Sequence, residues 1–316
     1  MENVSFIIPN YNAKNTIGKA IESIQNQKYN GEVEIIVVDD KSKDNSVRTI
    51  SKYKNIKLIK NKKNIGLARS LNKAIKISKY KLLCIIWCDC VLADNNWLNE
   101  IVKTYNSSKK IGVVASKLVI PKNYWNKFDF WSKVVLVKDY EVSLKDEQKE
   151  GRPTLFNKKL LLKVGLYDYK TFRIAGEDTD LMWKIKERKY KIKTAKVSLL
   201  HLHGFYNLSL KKQLFDKALP LAEASGVNFA RYGEKSFSSK YWNPITSTFL
   251  YLALFVPVFD IIAIILILIL IGKYTFSVYK HVKDVRIILV PFFKFFKDII
   301  TIFGFWKGFF SGKQKF

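Results

Sequence analysis

The chain has 316 residues, with 55 Lys and Arg against 27 Asp and Glu, a formal net charge of +28. Apolar residues make up 48 %, which excludes a largely disordered chain, and three cysteines are too few for a secreted disulfide framework. So positive a charge asks for a polyanion: nucleic acid, a phospholipid surface or a phosphorylated small molecule. Lys and Arg are spread over the whole length, without zinc-finger spacing, an aromatic RNA-binding signature or a basic zipper. Nucleic acid is therefore not expected as a partner. The N-terminus runs straight into Val4–Ile8 with no basic region or long apolar stretch before it, so no cleaved signal peptide is expected.

In chain order, the first two hundred residues alternate strands with helices. Val4–Ile8 is an apolar run ending at Pro9, and Ile17, Ala20, Ile21 and Ile24 then recur at helical spacing. Val33–Val38 is rich in β-branched residues and ends on Asp39 and Asp40. Ser42 and Asp44 precede a helix over Val47–Tyr53. Ile56–Ile59 predicts a third strand, Leu67–Ile77 a third helix, and Leu82–Trp87 a fourth strand before Cys88-Asp89-Cys90 and a helix at Trp97–Val102. This order predicts a mostly parallel sheet with helices on both faces. Ligands of such sheets bind beyond the carboxyl ends of the strands, so the loops after Ile8, Val38 and Trp87 are where polar residues should matter.

From Asn123 to Glu150 the pattern is irregular and aromatic, and it reads as a mobile or partner-facing insertion. Order resumes with a strand at Thr154–Asn157, a helix to Val164 and a turn at Gly165. A helix over Asp178–Lys189 follows, then a strand over Ile192–Leu200 that runs into His201 and His203. Ile245–Ile271 carries one charge, Asp260, and at about 1.5 Å per residue is long enough to cross a hydrocarbon core of about 30 Å. Val282–Phe310 has apolar and basic rows at helical spacing, the pattern of an interfacial helix, with a kink expected at Pro291. From Lys273 onward nine basic residues face two acidic ones, which suits an anionic cytoplasmic leaflet.

Four segments, Val4–Asn12 (VSFIIPNYN), Val37–Asp44 (VVDDKSKD), Asn64–Arg69 (NIGLAR) and Gly176–Leu181 (GEDTDL), resemble in sequence and order the family 2 glycosyltransferases. The resemblance covers about residues 3–205. It implies a GT-A nucleotide-diphospho-sugar transferase fold and inverting sugar transfer, with C-terminal membrane helices added. The corresponding division of the chain is a catalytic domain over 1–205 and a helical linker over 206–243. A transmembrane or re-entrant segment over 244–272 and a basic membrane-associated segment over 273–316 complete it.

The residues themselves fit this reading. Asp40, beyond a buried strand, can accept hydrogen bonds from a nucleobase edge, with Tyr11 stacked on the base and Pro9 shaping the loop; the alternative is a helix-capping carboxylate and a core tyrosine. Asn64 and Arg69 flank Gly66 on a strand-to-helix turn, where amides and a guanidinium can hold phosphate or ribose; the alternative for Arg69 is a solvated helix residue. By resemblance Asp89 is the metal-binding carboxylate of an Asp-x-Asp motif. It would share Mg²⁺ or Mn²⁺ with the donor diphosphate. Here the chain departs from the family, because Trp87 stands where the first Asp usually does. His201, or less favourably His203, supplies a further ligand by resemblance; otherwise both are surface histidines at a strand end. Cys84, Cys88 and Cys90 lack the spacing of a structural zinc site and read as small buried thiols.

Asp178 is the catalytic base by resemblance, since an inverting transfer needs a carboxylate within reach of the acceptor oxygen. Glu177 beside it would repel its charge, and Asp180 reads as structural. The helix start also explains an acidic residue at Asp178 on its own, as a complement to the helix dipole. The expected function is thus transfer of a sugar from a nucleotide-diphospho-sugar to a lipid-linked acceptor at the cytoplasmic side of the cell membrane. That acceptor is a polyprenyl phosphate or a lipid-linked glycan, used in cell-surface or glycoprotein glycan synthesis. No Gln-x-x-Arg-Trp motif of processive polysaccharide synthases is present. The alternative is a non-catalytic membrane adaptor that keeps the nucleotide-sugar fold.

Overall fold

A computed structural model describes residues 1–145, 151–203, 209–233 and 242–314. By internal contacts the chain divides into two units. The first holds residues 1–127, 140–169 and 180–205, the second residues 128–139, 170–179 and 206–316. The linker expected over 206–243 lies partly outside the described residues.

The first unit is built on one sheet. Its strands are β1 (Val4–Asn10), β2 (Val33–Asp39), β3 (Ile56–Lys60), β4 (Leu82–Ile85), β5 (Cys90–Leu92), β6 (Ile111–Val119), β7 (Arg152–Asn157) and β8 (Lys191–His201). Among the described residues the order is β3-β2-β1-β4-β7-β6-β8-β5. The β1–β2, β2–β3, β1–β4 and β6–β8 pairs are parallel, as the alternating pattern predicts. The β4–β7, β6–β7 and β5–β8 pairs are antiparallel, which alternation alone does not reveal. Helices α1 (Ile17–Gln25), α2 (Ser46–Ile50), α3 (Leu67–Ile77) and α4 (Trp97–Asn106) follow in the predicted places.

Two apolar layers sandwich the sheet. Ile17, Ile21 and Ile24 of α1 and Trp97, Leu98 and Ile101 of α4 pack with Phe6, Ile8, Ile35 and Val37 on one face. Ala68, Leu71 and Ile75 of α3 pack with Ile7, Ile36 and Val38 on the other. Neighbouring residues of β1 and β2 thus point to opposite layers, and both are fully covered, as a parallel sheet requires. Pro9 lies within β1, opposite Val38, rather than in the loop beyond it. The ladder to β4 ends at Ile7 and Ile85, so Pro9 falls past the point where β1 has a partner on both sides.

The segment expected to be an irregular insertion contains two helices, α5 (Lys122–Trp125) and α6 (Phe130–Ser143); residues 146–150 lie outside the described ones. Its aromatics are largely packing groups: Trp125 and Phe130 are buried, and the Trp125 and Tyr140 rings stack at 4.0 Å. The helices α7 (Lys158–Lys163) and α8 (Glu177–Glu187) follow.

The second unit is helical. Residues 210–232 form one continuous helical rod. It comprises α9 (Leu210–Lys212), a π-helical turn at Gln213–Ala218 that absorbs an extra residue, and α10 (Leu219–Tyr232). The apolar segment expected to be transmembrane or re-entrant is broken near its middle. α11 (Trp242–Leu252) ends near Pro257, Val258 has a φ of 79°, and α12 (Asp260–His281) begins afresh. Among the described residues α12 is the helix long and apolar enough to cross a membrane, with a mean hydropathy of 2.5. The expected kink at Pro291 is absent as well. Pro291 occupies the first turn of α13 (Val290–Ser311), where its missing N–H has no helical partner to lose.

Candidate active site

Both carboxyl-end loops of β1 and β2 converge on Asp39 and Asp40. Asp39 accepts from Asn10 Nδ2 at 2.7 Å and from the Ser42 amide at 3.2 Å, which ties the two loops together. Asp40 is buried. Its Oδ1 accepts from Asn61 Nδ2 and the Ile65 amide, both at 2.9 Å, and its Oδ2 from the Gly66 amide at 2.8 Å. Three of about four acceptor positions on the carboxylate are therefore filled by the chain itself. Asp40 shapes the Ile65–Gly66 turn, with one lone pair left for a ligand. Asn61 is held in turn by Ser70 and Lys73. It was not foreseen from sequence, since a single Asn at a strand end carries no motif.

Tyr11 is 48 % exposed, so its ring is open to stacking. Asn64 is exposed and accepts from the Gly66 amide at 3.2 Å. Arg69 is also exposed, its guanidinium 5.4 Å from the Tyr169 ring centroid.

Asp89 and His201 are brought together by strand register. In the antiparallel β5–β8 pair Cys90 faces His201, and the Asp89 carbonyl accepts from the Leu202 amide at 2.8 Å. One Asp89 oxygen then lies 3.2 Å from His201 Nε2. The His203 ring lies tilted against that of His201, with 3.5 Å between centroids. Burial alone would raise the Asp89 carboxyl pKa. The His201 hydrogen bond, with the charges of His201, His203 and Arg152, outweighs it and holds Asp89 below the ordinary carboxylate range.

The donor atoms of Asp89, Cys90 and His201 all lie within 4.8 Å of one another. Burial pushes the Cys90 thiol up, in keeping with the sequence reading of the cysteines as buried thiols, and a hard cation such as Mg²⁺ or Mn²⁺ prefers oxygen and nitrogen ligands to sulfur. One carboxylate and one imidazole remain. That donor set fits a divalent cation whose other ligands come from a diphosphate and water, and it is too small for a closed structural site.

Trp87 lies beside this pair, its ring centroid 5.8 Å from that of His201. The Arg152 guanidinium lies over the Trp87 ring. The β4–β7 register explains the encounter: Cys84 faces Leu155, and the same register carried three residues further sets position 87 against position 152. Arg152 went unrecognised in the sequence because that pairing is between strands far apart in the chain.

Glu177 and Asp178 open α8. Glu177 is buried and Asp178 half-buried, with Oδ1 accepting from the Thr179 amide at 2.7 Å. Asp180 is fully buried and ion-paired with Lys184 at 2.6 Å, the structural role expected of it.

Among solved structures the fold is similar to that of a mannosyltransferase from Pyrobaculum calidifontis, in complex with GDP-mannose and Mn²⁺. The TM-score is 0.59 at 17 % identity, over 98 % of this chain and 87 % of that one. It is also similar to GalNAc-T7 with UDP, GalNAc and Mn²⁺, with a TM-score of 0.55 at 15 % identity over 75 % of this chain and 49 % of that one. These likenesses establish the GT-A fold. Poly-beta-1,6-N-acetyl-D-glucosamine synthase of Staphylococcus epidermidis is 27 % identical over 206 residues, 61 % of this chain and 48 % of that protein. The Staphylococcus aureus (strain MSSA476) synthase of the same name is 26 % identical over the same length. The chain thus spans about half the length of the curated relatives it matches. Residues 5–164, half of the chain, match the glycosyl transferase family 2 description, and the chain is a member of that family.

Proposed function

We propose that the protein transfers a sugar, with inversion, from a nucleotide-diphospho-sugar to a lipid-linked acceptor held at the cytoplasmic face of the membrane. The observation that carries this reading is the Asp89–His201 pair beyond the sheet. It is a carboxylate and imidazole set for a divalent cation, in a member of a sugar-transferring family. Mn²⁺ suits a mixed oxygen and nitrogen set better than Mg²⁺ does. When bound, the cation neutralises charge on the departing nucleoside diphosphate. Tyr11 offers a stacking face to the base, Asp40 holds the turn that presents the Gly66 region, and Asn64 and Arg69 lie on that turn for ribose or phosphate. Asp178 takes the proton from the acceptor hydroxyl as its oxygen attacks the anomeric carbon. The apolar α12 and basic α13 supply the reason for a membrane-held acceptor, because a nucleotide sugar needs no membrane to be reached.

Purified protein in a membrane mimetic would be screened against nucleotide sugars with Mn²⁺ by thermal shift, then assayed for transfer to a lipid-linked glycan, which offers a hydroxyl, and to polyprenyl phosphate, which does not. Metal-dependent stabilisation by one donor, and transfer lost in excess chelator, are expected. Donor binding with no hydrolysis or transfer under any metal would favour the non-catalytic adaptor. The name of the staphylococcal relatives favours a second acceptor, a growing polysaccharide. Products longer than one added sugar would support it.

A further inference from the structure

The loop that delivers Glu177 and Asp178 is gripped by the C-terminus of the chain. Gln314, beyond the end of the last helix, is 4 % exposed. Its amide donates to the Thr171 carbonyl at 3.0 Å. Its side-chain Oε1 accepts from the Arg173 amide at 2.8 Å and the Ile174 amide at 3.0 Å, while its Nε2 donates to the Pro220 carbonyl at 3.0 Å. Two backbone donors meeting the oxygen and one backbone acceptor meeting the nitrogen fix the orientation of the amide. Gln314 therefore ties residues 171–174 to the start of α10.

The rest of the loop is tied to the other end of the same helix. Arg231 Nη2 donates to Thr171 Oγ1 at 2.6 Å, and Asn228 Nδ2 donates to the Gly176 carbonyl at 3.3 Å. Phe172 is buried against Ala224 and Val227. Gly176 has a φ of +94°, and a Cβ there would come within 2.7 Å of the Ala224 Cβ, so the residue immediately before Glu177 fits only as glycine.

What sets Gln314 in place is α13. A side-chain carbon at Gly308 would overlap the Glu223 carbonyl, and one at Gly226 would overlap the Phe305 carbonyl. The backbones of α10 and α13 thus touch directly. Lys307 pairs with the fully buried Glu223 at 3.4 Å. Gly312, at a φ of +64°, ends α13 and turns the chain toward the loop.

We propose that Gln314 is a positioning residue for the Glu177–Asp178 pair, so that turnover requires the C-terminal helix docked on α10 while donor binding does not. This rests on the reading of Asp178 as the base. Among the described residues, the hydrogen bonds of Gln314 go to the loop and to Pro220, and to none of the residues assigned to the donor.

The test uses full-length protein in one membrane mimetic throughout. Gln314→Ala is expected to lower kcat by about tenfold or more, the scale of a misplaced catalytic group, with the donor KM and donor-induced thermal shift within about twofold. Amide exchange of residues 171–178 should quicken. Gln314→Glu, which keeps the acceptor for both amides, should restore protection at Arg173 and Ile174 and most of the turnover. Lys313→Ala, altering an exposed neighbour, should behave as the parent. Unchanged kcat in Gln314→Ala, or a parallel loss of donor binding, would overturn the proposal. Asp178→Asn in the same assay separates the two readings. If it turned over normally while Gln314→Ala did not, the base assignment would fail and the clamp would stand.

Discussion

Trp87 and Arg152 give the proposed metal site a different charge from the one its family motif implies. A carboxylate at position 87 would add a negative group. Instead the site has an indole, two residues before Asp89, with a guanidinium over it whose charge acts on Asp89. The Arg152 charge can share in neutralising a diphosphate, so the site leans less on its cation than a two-carboxylate site does. Trp87→Asp is expected to raise Mn²⁺ affinity, and Asp89→Asn to lower it by about tenfold or more, both read by metal titration without donor. Asp178→Asn should leave donor binding intact and lower transfer by about a hundredfold, on the usual scale for a lost general base. A mild effect would point to an acceptor already ionised, such as a phosphate.

Acid should act on a different carboxylate. Burial would raise the Asp44 pKa, but hydrogen bonds from Ser46 and the Lys14 amide overcome it and hold the group below its ordinary value. A depressed carboxylate contributes stability that is present above its unfolded pKa of about 4 and is lost as pH falls through the lower folded value. Exchange at the Lys14 and Ser46 amides is therefore expected to quicken below about pH 4, and an Asp44→Asn variant should exchange quickly at neutral pH too.

At the scale of elements, α10 and α13 depend on glycine for contact. Gly308→Ala must push the Glu223 backbone away, and overpacking of this kind costs about 1–3 kcal/mol. A lowered melting temperature with an intact donor-induced shift would locate the damage in the helical unit. Most elements of the sheet were legible in the sequence because period and β-branching announce them: β1, β2, α1 and α3 stand within a residue or two of their predicted bounds. Pro257 and Pro291 show where local reading stops. The same residue type breaks one helix and begins another, and only the backbone on either side of it decides which. The encounters of Asp89 with His201 and of Trp87 with Arg152 depend on strand order. Sequence alone could name Asp89 and His201 through the family pattern, but had no signal for Arg152.

For the whole molecule, internal contacts group residues 128–139 and 170–179 with residues 206–316. Tyr274 of α12 donates to the Val134 carbonyl at 2.6 Å, and Lys138 Nζ to Ser277 at 3.0 Å. The net charge of +28 predicts binding to vesicles rich in anionic lipid, weakened by salt; co-sedimentation across a salt series checks it. Equal binding to neutral vesicles would assign the attachment to the exposed apolar side chains of α12 and α13 rather than to charge.

The bond between Gln314 and Thr171 also imposes a parity. Two groups in hydrogen-bond contact share one side of a bilayer, so the chain between them re-enters the compartment it left. On the proposed membrane reading, an even number of complete crossings between residues 171 and 314 is therefore expected, and a lone passage through α12 does not go with that bond. Either α11 and α12, broken between them at Pro257 and Val258, enter one leaflet and return, or a second segment carries the chain back. Cysteines placed at Tyr169 and Lys313 should therefore label from the same face of sealed vesicles.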